Sequence, residues 1–244
     1  MEDFKILEPG QRLRQMRKKL RLTQKDLSGE NMSKNYISMF ENGKRSINII
    51  NATYFADMIN MKAKEKGVEL NVTASYFVKT QNDIAREVCL EGLDKIKDNN
   101  IDKYEKYREL YKIIYISNEY ELLNILAKSL KVKGKLLYRD KLYHCAITHF
   151  SKSLLYYSRE DDLDGIHKCY LAMGKTYFMD GNYKTAITYY NLASLYGDED
   201  SMLYYKALAY YKLGNYELSK SIIDKIIFKD ERVLELENCI SNID

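Results

Sequence analysis

The sequence predicts an all-α chain in two parts, a compact N-terminal module and a longer array of paired helices. Three observations carry this. The 244 residues hold one proline and eleven glycines, too little turn punctuation for a β-rich fold. Small and large apolar residues return at a near-regular interval over the second half. Charge is also divided: up to Lys66 there are 14 Lys and Arg against 8 Asp and Glu, a net of +6, while the remainder holds 25 and 27, a net of −2. At 45% hydrophobic and 30% charged the chain is globular, and a basic module on a near-neutral body points to a polyanion as partner.

Taken in order, Pro9 suits the first turn of a helix, where a missing N–H costs nothing. In "GQRLRQMRKKL" the residues Leu13, Met16 and Leu20 share one face. Thr23 and Asp26 have the spacing of a capping box, so a short second helix is expected from Thr23, ending before a turn at Gly29–Met32. Ser33 is a suitable N-cap for a third helix. On it Tyr36, Ile37 and Phe40 form a dry side, and Lys34, Asn35, Ser38, Met39 and Asn42 a polar one. Gly43 supplies a left-handed stop, with Lys44 and Arg45 directly after it. A fourth helix is expected over Ile49–Lys66, with Tyr54, Phe55, Met58 and Ile59 among its apolar residues.

Two short helices, a tight turn and a polar-faced second helix make a helix-turn-helix, whose second helix enters the major groove of DNA. "LRLTQKDL" and "SKNYISMFENGKRS" resemble the XRE (Cro-like repressor) type over about Gly10–Lys66. The expected fold of residues 1–70 is therefore the five-helix, lambda-repressor-like domain. The turn "SGENM" is a residue shorter than in many members. The resemblance implies DNA contacts from Gln24, Ser33, Lys34, Asn35, Ser38, Met39, Lys44 and Arg45. Gln24 would touch phosphate or an outer base. Lys34 suits guanine O6/N7 and Asn35 adenine N6/N7. Met39 has two readings, a thymine methyl contact or packing. Lys44 and Arg45 would bind phosphate, which positions without specifying sequence. Glu41 would repel DNA unless paired, and the family pattern pairs it with Arg17 in a structural salt bridge.

Residues 71–244 read as a helical repeat domain. In "IHKCYLAMGKTYFMDGNYKTAITYYNLASLYG" the residues Tyr170, Met173, Gly174, Tyr177, Tyr183, Ala186, Tyr190 and Ala193 match the tetratricopeptide spacing. A following copy has Leu203, Ala207, Tyr210, Tyr216, Ser219, Ile223 and Ile226, and an earlier one Leu130, Gly134, Leu137, Tyr143, Ala146, Phe150 and Ser153. Tyr143, Tyr183 and Tyr216 mark one register at spacings of 40 and 33, and the longer gap is assigned to an extended turn at "SREDDLDG". Ala74–Lys97 and Ile101–Ser117 are expected as a further helix pair, and Asp230–Ile243 as a capping helix. No copy carries the proline that often ends this repeat. The expected whole is a tetratricopeptide-like α-solenoid. Its inner face would carry Lys128, Lys131, Lys135, Tyr138 and Arg139, then Lys168, Lys175, Phe178 and Met179, then Tyr204, Leu208 and Tyr211. Such a surface suits an extended peptide with an acidic residue or a C-terminal carboxylate.

Other chemistry has no motif here: no Gly-rich phosphate loop, nucleophile elbow or zinc spacing, so no catalytic residue, metal or cofactor is expected. His144, Cys145 and His149 lie close together but lack a third ligand. The four scattered cysteines suit a reducing cytosol, and no signal core or membrane-length run is seen. A basic XRE-type module followed by tetratricopeptide repeats resembles the peptide-responsive RRNPP regulators of Gram-positive bacteria. That resemblance implies a cytoplasmic, non-enzymatic, homodimeric transcription regulator of double-stranded operator DNA, modulated by a short signalling peptide. Two other readings fit the same order: a phage- or plasmid-like repressor whose repeats only dimerise or dock a protein, and a repeat scaffold without DNA binding.

Overall fold

The computed structural model describes residues 4–197 and 199–242, and these form thirteen α-helices with no strand beyond one isolated bridge. Two compact units divide between Glu91 and Gly92.

The first unit holds α1 (Pro9–Lys19), α2 (Lys34–Glu41), α3 (Ile49–Glu65) and α4 (Ala74–Val78), with a single 3-10 turn at Lys25–Leu27 where the second helix was expected. The capping box at its start does form, Thr23 N–H and hydroxyl both donating to the Asp26 carboxylate at 2.6 and 2.8 Å. Only three residues follow, because Gly29 and Met32 exchange backbone hydrogen bonds of 3.0 and 3.1 Å and close the chain into a bridge. The core gathers Leu13, Leu27, Ile37, Phe40, Phe55, Ile59 and Phe77. Phe55 sits edge-on to Phe40 at 5.6 Å and to Phe77 at 6.4 Å.

Phe77 shows why this unit continues beyond residue 70. The helix expected over Ala74–Lys97 is broken: α4 stops at Val78, and Thr80 with Asp83 forms a new capping box for α5 (Gln81–Lys97). Arg12, 2% exposed, fastens the break. Its guanidinium donates to the carbonyls of Leu7 at 2.7 Å, Tyr76 at 2.8 Å and Lys79. The Asn60 amide clasps the Val72 backbone with two hydrogen bonds of 2.8 Å.

The second unit opens with the last turn of α5 against α6 (Lys103–Glu119), where Lys95 pairs with Glu105 at 2.6 Å. Antiparallel pairs follow: α7 (Leu123–Arg139) with α8 (Tyr143–Arg159), α9 (Leu163–Met179) with α10 (Tyr183–Ala193), and α11 (Asp200–Lys212) with α12 (Tyr216–Ile223). The capping helix is α13 (Glu231–Ser241), N-capped by Asp230. Ile243, included in that expectation, lies outside the described residues.

The glycines act as expected. A Cβ on Gly134 would stand 2.6 Å from the Phe150 ring, and one on Gly174 2.5 Å from the Tyr190 ring. Gly165 makes the same accommodation for Tyr157 between α8 and α9, a contact the motif did not suggest.

The 40-residue spacing has a different cause from the extended turn expected at "SREDDLDG". That turn is as short as its neighbours; α7, α8 and α9 are each 17 residues long, whereas α10 has 11 and α11 has 13. The repeated turn also answers the missing proline. Glu121, Lys141, Asp161, Gly181 and Gly214 take positive φ after α6, α7, α8, α9 and α11. In each case the next N–H returns to a carbonyl five residues back, as Leu142 does to Leu137 at 2.9 Å and Asn182 to Tyr177 at 2.9 Å. This is the Schellman closure. An aromatic pair seals three of the turns: Tyr138 on Tyr143, Phe178 on Tyr183 and Tyr211 on Tyr216, at 6.0, 5.2 and 5.5 Å.

Candidate nucleic-acid interface and inner repeat face

Helix α2 divides into two sides. Ser33 caps it by accepting from Tyr36 N–H at 3.3 Å, and Ile37 and Phe40 are buried. Lys34, Asn35 and Met39 are exposed and make no side-chain hydrogen bond or ion pair among the described residues. Ser38 is half-buried, its hydroxyl accepting from the Asn42 amide at 3.3 Å. Gly43 stops the helix at φ +69°. Lys44 and Arg45 follow, both exposed.

Tyr36 leaves the dry side to which helical spacing assigned it. It is 44% exposed, and the Arg45 guanidinium lies over its ring at 4.8 Å. Such a stack is worth about 0.5–1 kcal/mol at an exposed site and holds Arg45 beside the polar row. The wheel angle placed Tyr36 near Ile37, yet Ile37, on the same turn, is fully buried while Tyr36 faces Arg45.

Beneath that row lies a paired acid. Arg17 Nε and Nη2 donate to Glu41 Oε1 and Oε2 at 2.6 and 2.8 Å, and Gln24 Nε2 donates to Oε2 at 2.9 Å. Arg17 Nη1 also reaches the Leu22 carbonyl at 2.8 Å. Burial pushes the Glu41 carboxyl upward, but the bonds from Arg17 and Gln24 and the Arg17 charge outweigh it and hold the carboxyl below its ordinary value. Gln24, assigned to DNA by resemblance, is thus engaged at the bracing pair. Gly10 sets how closely α1 and α2 approach, since a Cβ there would meet the Phe40 carbonyl oxygen at 1.9 Å.

The second unit draws its basic residues together. Lys131 on α7 and Lys175 on α9 are half-buried, and burial depresses both ammonium groups. Neither forms an ion pair among the described residues. Instead each lies over an aromatic ring, Lys131 on Tyr157 at 4.9 Å and Lys175 on Tyr205 at 5.2 Å. Lys135 acts electrostatically on both, and Lys168 acts on Lys131. Lys168 itself pairs with Asp164 at 2.6 Å. Lys128 and Arg139 are exposed and are not among the groups acting on these lysines. Phe178 packs on Tyr205 at 5.7 Å, and Tyr204 carries the Arg232 guanidinium at 5.2 Å. Tyr205 and Arg232 were not singled out by the repeat register, which tracks packing positions and passes over residues beside them. Tyr138, Phe178 and Tyr211 have a structural duty as well, as the seals of their turns.

Residues 10–71 match the family model described as a helix-turn-helix domain. This stretch is a helix-turn-helix domain. A comparison with curated proteins finds no match. Among solved structures the chain is similar to PlcR of Bacillus thuringiensis, crystallised with the peptide PapR7 and DNA, at 12% identity and a TM-score of 0.34 over 97% of this chain and 98% of that one. Within the helix-turn-helix domain, Ser33 caps the start of α2, Lys34, Asn35, Ser38 and Met39 lie on it, and Lys44 and Arg45 follow its end. Elsewhere His149 is half-buried, its Nδ1 is unpaired, and no group of three or more metal-ligating side chains occurs among the described residues. No disulfide joins the four cysteines, and no described helix is long and apolar enough to cross a membrane.

Proposed function

We propose that this chain is a cytoplasmic transcription regulator that reads double-stranded DNA through α2 and is modulated by a short signalling peptide on its repeat. The observation that carries the DNA reading is the row Lys34, Asn35 and Met39, exposed and unpaired beside a braced and buried opposite side. Lys34 and Asn35 supply the donors and acceptors that purine edges require in the major groove. Ser33, at the helix start, and Ser38 add short polar contacts; Lys44 and Arg45 bind phosphate and set the register. Met39 meets a thymine methyl. Gln24 orients Glu41 and, through it, Arg17.

The peptide reading is supported by the half-buried lysines Lys131 and Lys175, whose charges lack a carboxylate partner. Unpaired ammonium groups in such positions are costly, and an acidic peptide would compensate them. The repeat unit also forms the homodimer, so that two copies of α2 read a near-palindromic operator about one helical turn, or a multiple of it, apart. A peptide acts only by binding one arrangement of the dimer better than another.

Operator selection from random DNA, with and without peptides from host culture supernatant, tests the reading. A single enriched site is expected. Lys34→Ala and Asn35→Ala should each weaken it by about 1–3 kcal/mol and relax preference at one position. No enriched site, or equal affinity in both variants, would refute DNA reading by α2.

A further inference from the structure

Tyr36 is a large aromatic residue on the helix proposed to read DNA, yet that reading gives it no contact and the core leaves it 44% exposed. On α2 it stands about 60° from Met39 and about 40° from Phe40, on the flank between the exposed row and the buried side. Its ring meets the buried Phe40 ring at 6.5 Å, tilted by 57°. The Arg45 guanidinium lies over the Tyr36 ring at 4.8 Å. A core aromatic, an exposed aromatic and a cation thus follow one another outward along this flank.

The stack leaves the hydrogen-bonding capacity of both partners unspent. A guanidinium over a ring presents its flat face to it, so its N–H donors, which lie in its plane, stay available. No hydrogen bond or ion pair takes them up among the described residues, and the Tyr36 hydroxyl has no partner there either. Glu41, the one acid on α2, is already engaged by Arg17 and Gln24. Lys44, one residue before Arg45, supplies the same charge without any such support. What the ring adds to Arg45 is therefore direction. The place of the pair decides its ligand. When a helix lies in the major groove, its outermost row faces base edges and its flanks face the sugar–phosphate walls. A flank that offers one cation and one neutral donor matches a phosphate, whose oxygens accept from both.

We propose that Tyr36 is a DNA-contact residue of α2: its ring holds the Arg45 guanidinium, and its hydroxyl joins Arg45 in clamping one backbone phosphate on the wall of the groove. This rests on the DNA reading above.

The test measures binding of the full-length protein to a labelled duplex enriched by wild type from random DNA, across a salt series. Tyr36→Phe keeps the stack and loses the donor. It should bind roughly 2- to 10-fold more weakly for each half-site, with an unchanged salt slope. Arg45→Ala should lower the slope of log affinity against log salt by about 1 for each half-site. Tyr36→Leu removes no charge but should lower the slope in the same direction, because an unheld guanidinium neutralises the phosphate less. The double variant Tyr36→Leu with Arg45→Ala should lose less than the product of the single losses, by about 2- to 5-fold, the worth of the stack. Every variant should select the wild-type sequence. Wild-type affinity and slope in Tyr36→Leu, or independent losses in the double variant, would overturn the clamp and leave DNA reading by α2 standing. An unchanged Tyr36→Phe would overturn the hydroxyl's part in it. Preference relaxed at one base pair would also overturn the clamp, by placing the pair on a base edge. So would a loss in Tyr36→Leu that follows a lower melting temperature with Tyr36→Phe unaffected, which returns Tyr36 to the core. Enrichment of no duplex by wild type would overturn both.

Discussion

Replacing Glu41 with Ala should destabilise the helix-turn-helix domain by about 3 kcal/mol. The carboxylate accepts two hydrogen bonds from Arg17 and one from Gln24, and the two charged side chains are 2% and 12% exposed. Its removal leaves a largely buried guanidinium without a counter-charge and an amide without an acceptor. Breaking a buried pair in this way costs about 3–5 kcal/mol, and the residual exposure of Arg17 places this case at the lower end. That is a large part of the roughly 5–15 kcal/mol that holds a domain folded. Hydrogen exchange of the Ile37 and Phe40 amides along a urea series, in the full chain, reads the loss where it acts. Arg17→Met should cost a similar amount, and Arg17→Met with Glu41→Leu less than the sum by at least about 1 kcal/mol, since neither charge is then stranded. pH gives a second reading. The Glu41 carboxyl is held below its ordinary value, so its contribution is complete above about pH 4.3 and is lost as pH falls further. Glu41→Gln should lack that acid-dependent loss. A cost below about 1 kcal/mol, or strict additivity in the cycle, would refute the bracing role.

Gly10→Ala should unfold or severely destabilise the same domain, because its Cβ would stand 1.9 Å from a backbone oxygen that a side-chain rotation cannot move; circular dichroism melts decide this. Lys141, at φ +59° in a repeat turn, should gain about 1 kcal/mol on replacement by Gly, and Gly181→Ala in the equivalent turn should lose about as much, both measured by urea titration. Burial, helped by Lys133 and Lys152, pushes the His149 imidazole down to about 4. The repeat unit should therefore lose stability as pH falls from about 6.5 toward 4, and His149→Phe should flatten that slope in pH-dependent melts.

The sequence carried the repeat more fully than the face it presents. Register residues such as Gly134, Phe150, Gly174 and Tyr190 must pack on one another, so their sizes are correlated along the chain and can be read there. Tyr205 and Arg232 obey no such correlation: they matter through what stands across from them on other helices. Glu41 was legible for the opposite reason. An acid at the end of a helix expected to face DNA needs a partner, and the family pattern supplies one in Arg17. Tyr36 misled because wheel angle reports direction but not how far the core extends. The break at Lys79 was hidden as well, since "SYFVKTQND" has neither proline nor glycine; the distant Arg12 holds it, its guanidinium donating to the carbonyls of Tyr76 and Lys79 at the end of α4.

The repeated turns show how to separate use from construction in this unit. Glu121, Lys141 and Asp161 hold a left-handed conformation that glycine would adopt at less cost, yet the same closure recurs around each and accounts for it. Strain that repeats with the architecture belongs to the architecture. Tyr190 is different in kind. Its cost, a buried hydroxyl without a hydrogen-bond partner among the described residues, occurs in one copy, at a register where Phe150 and Ile223 show that none is needed.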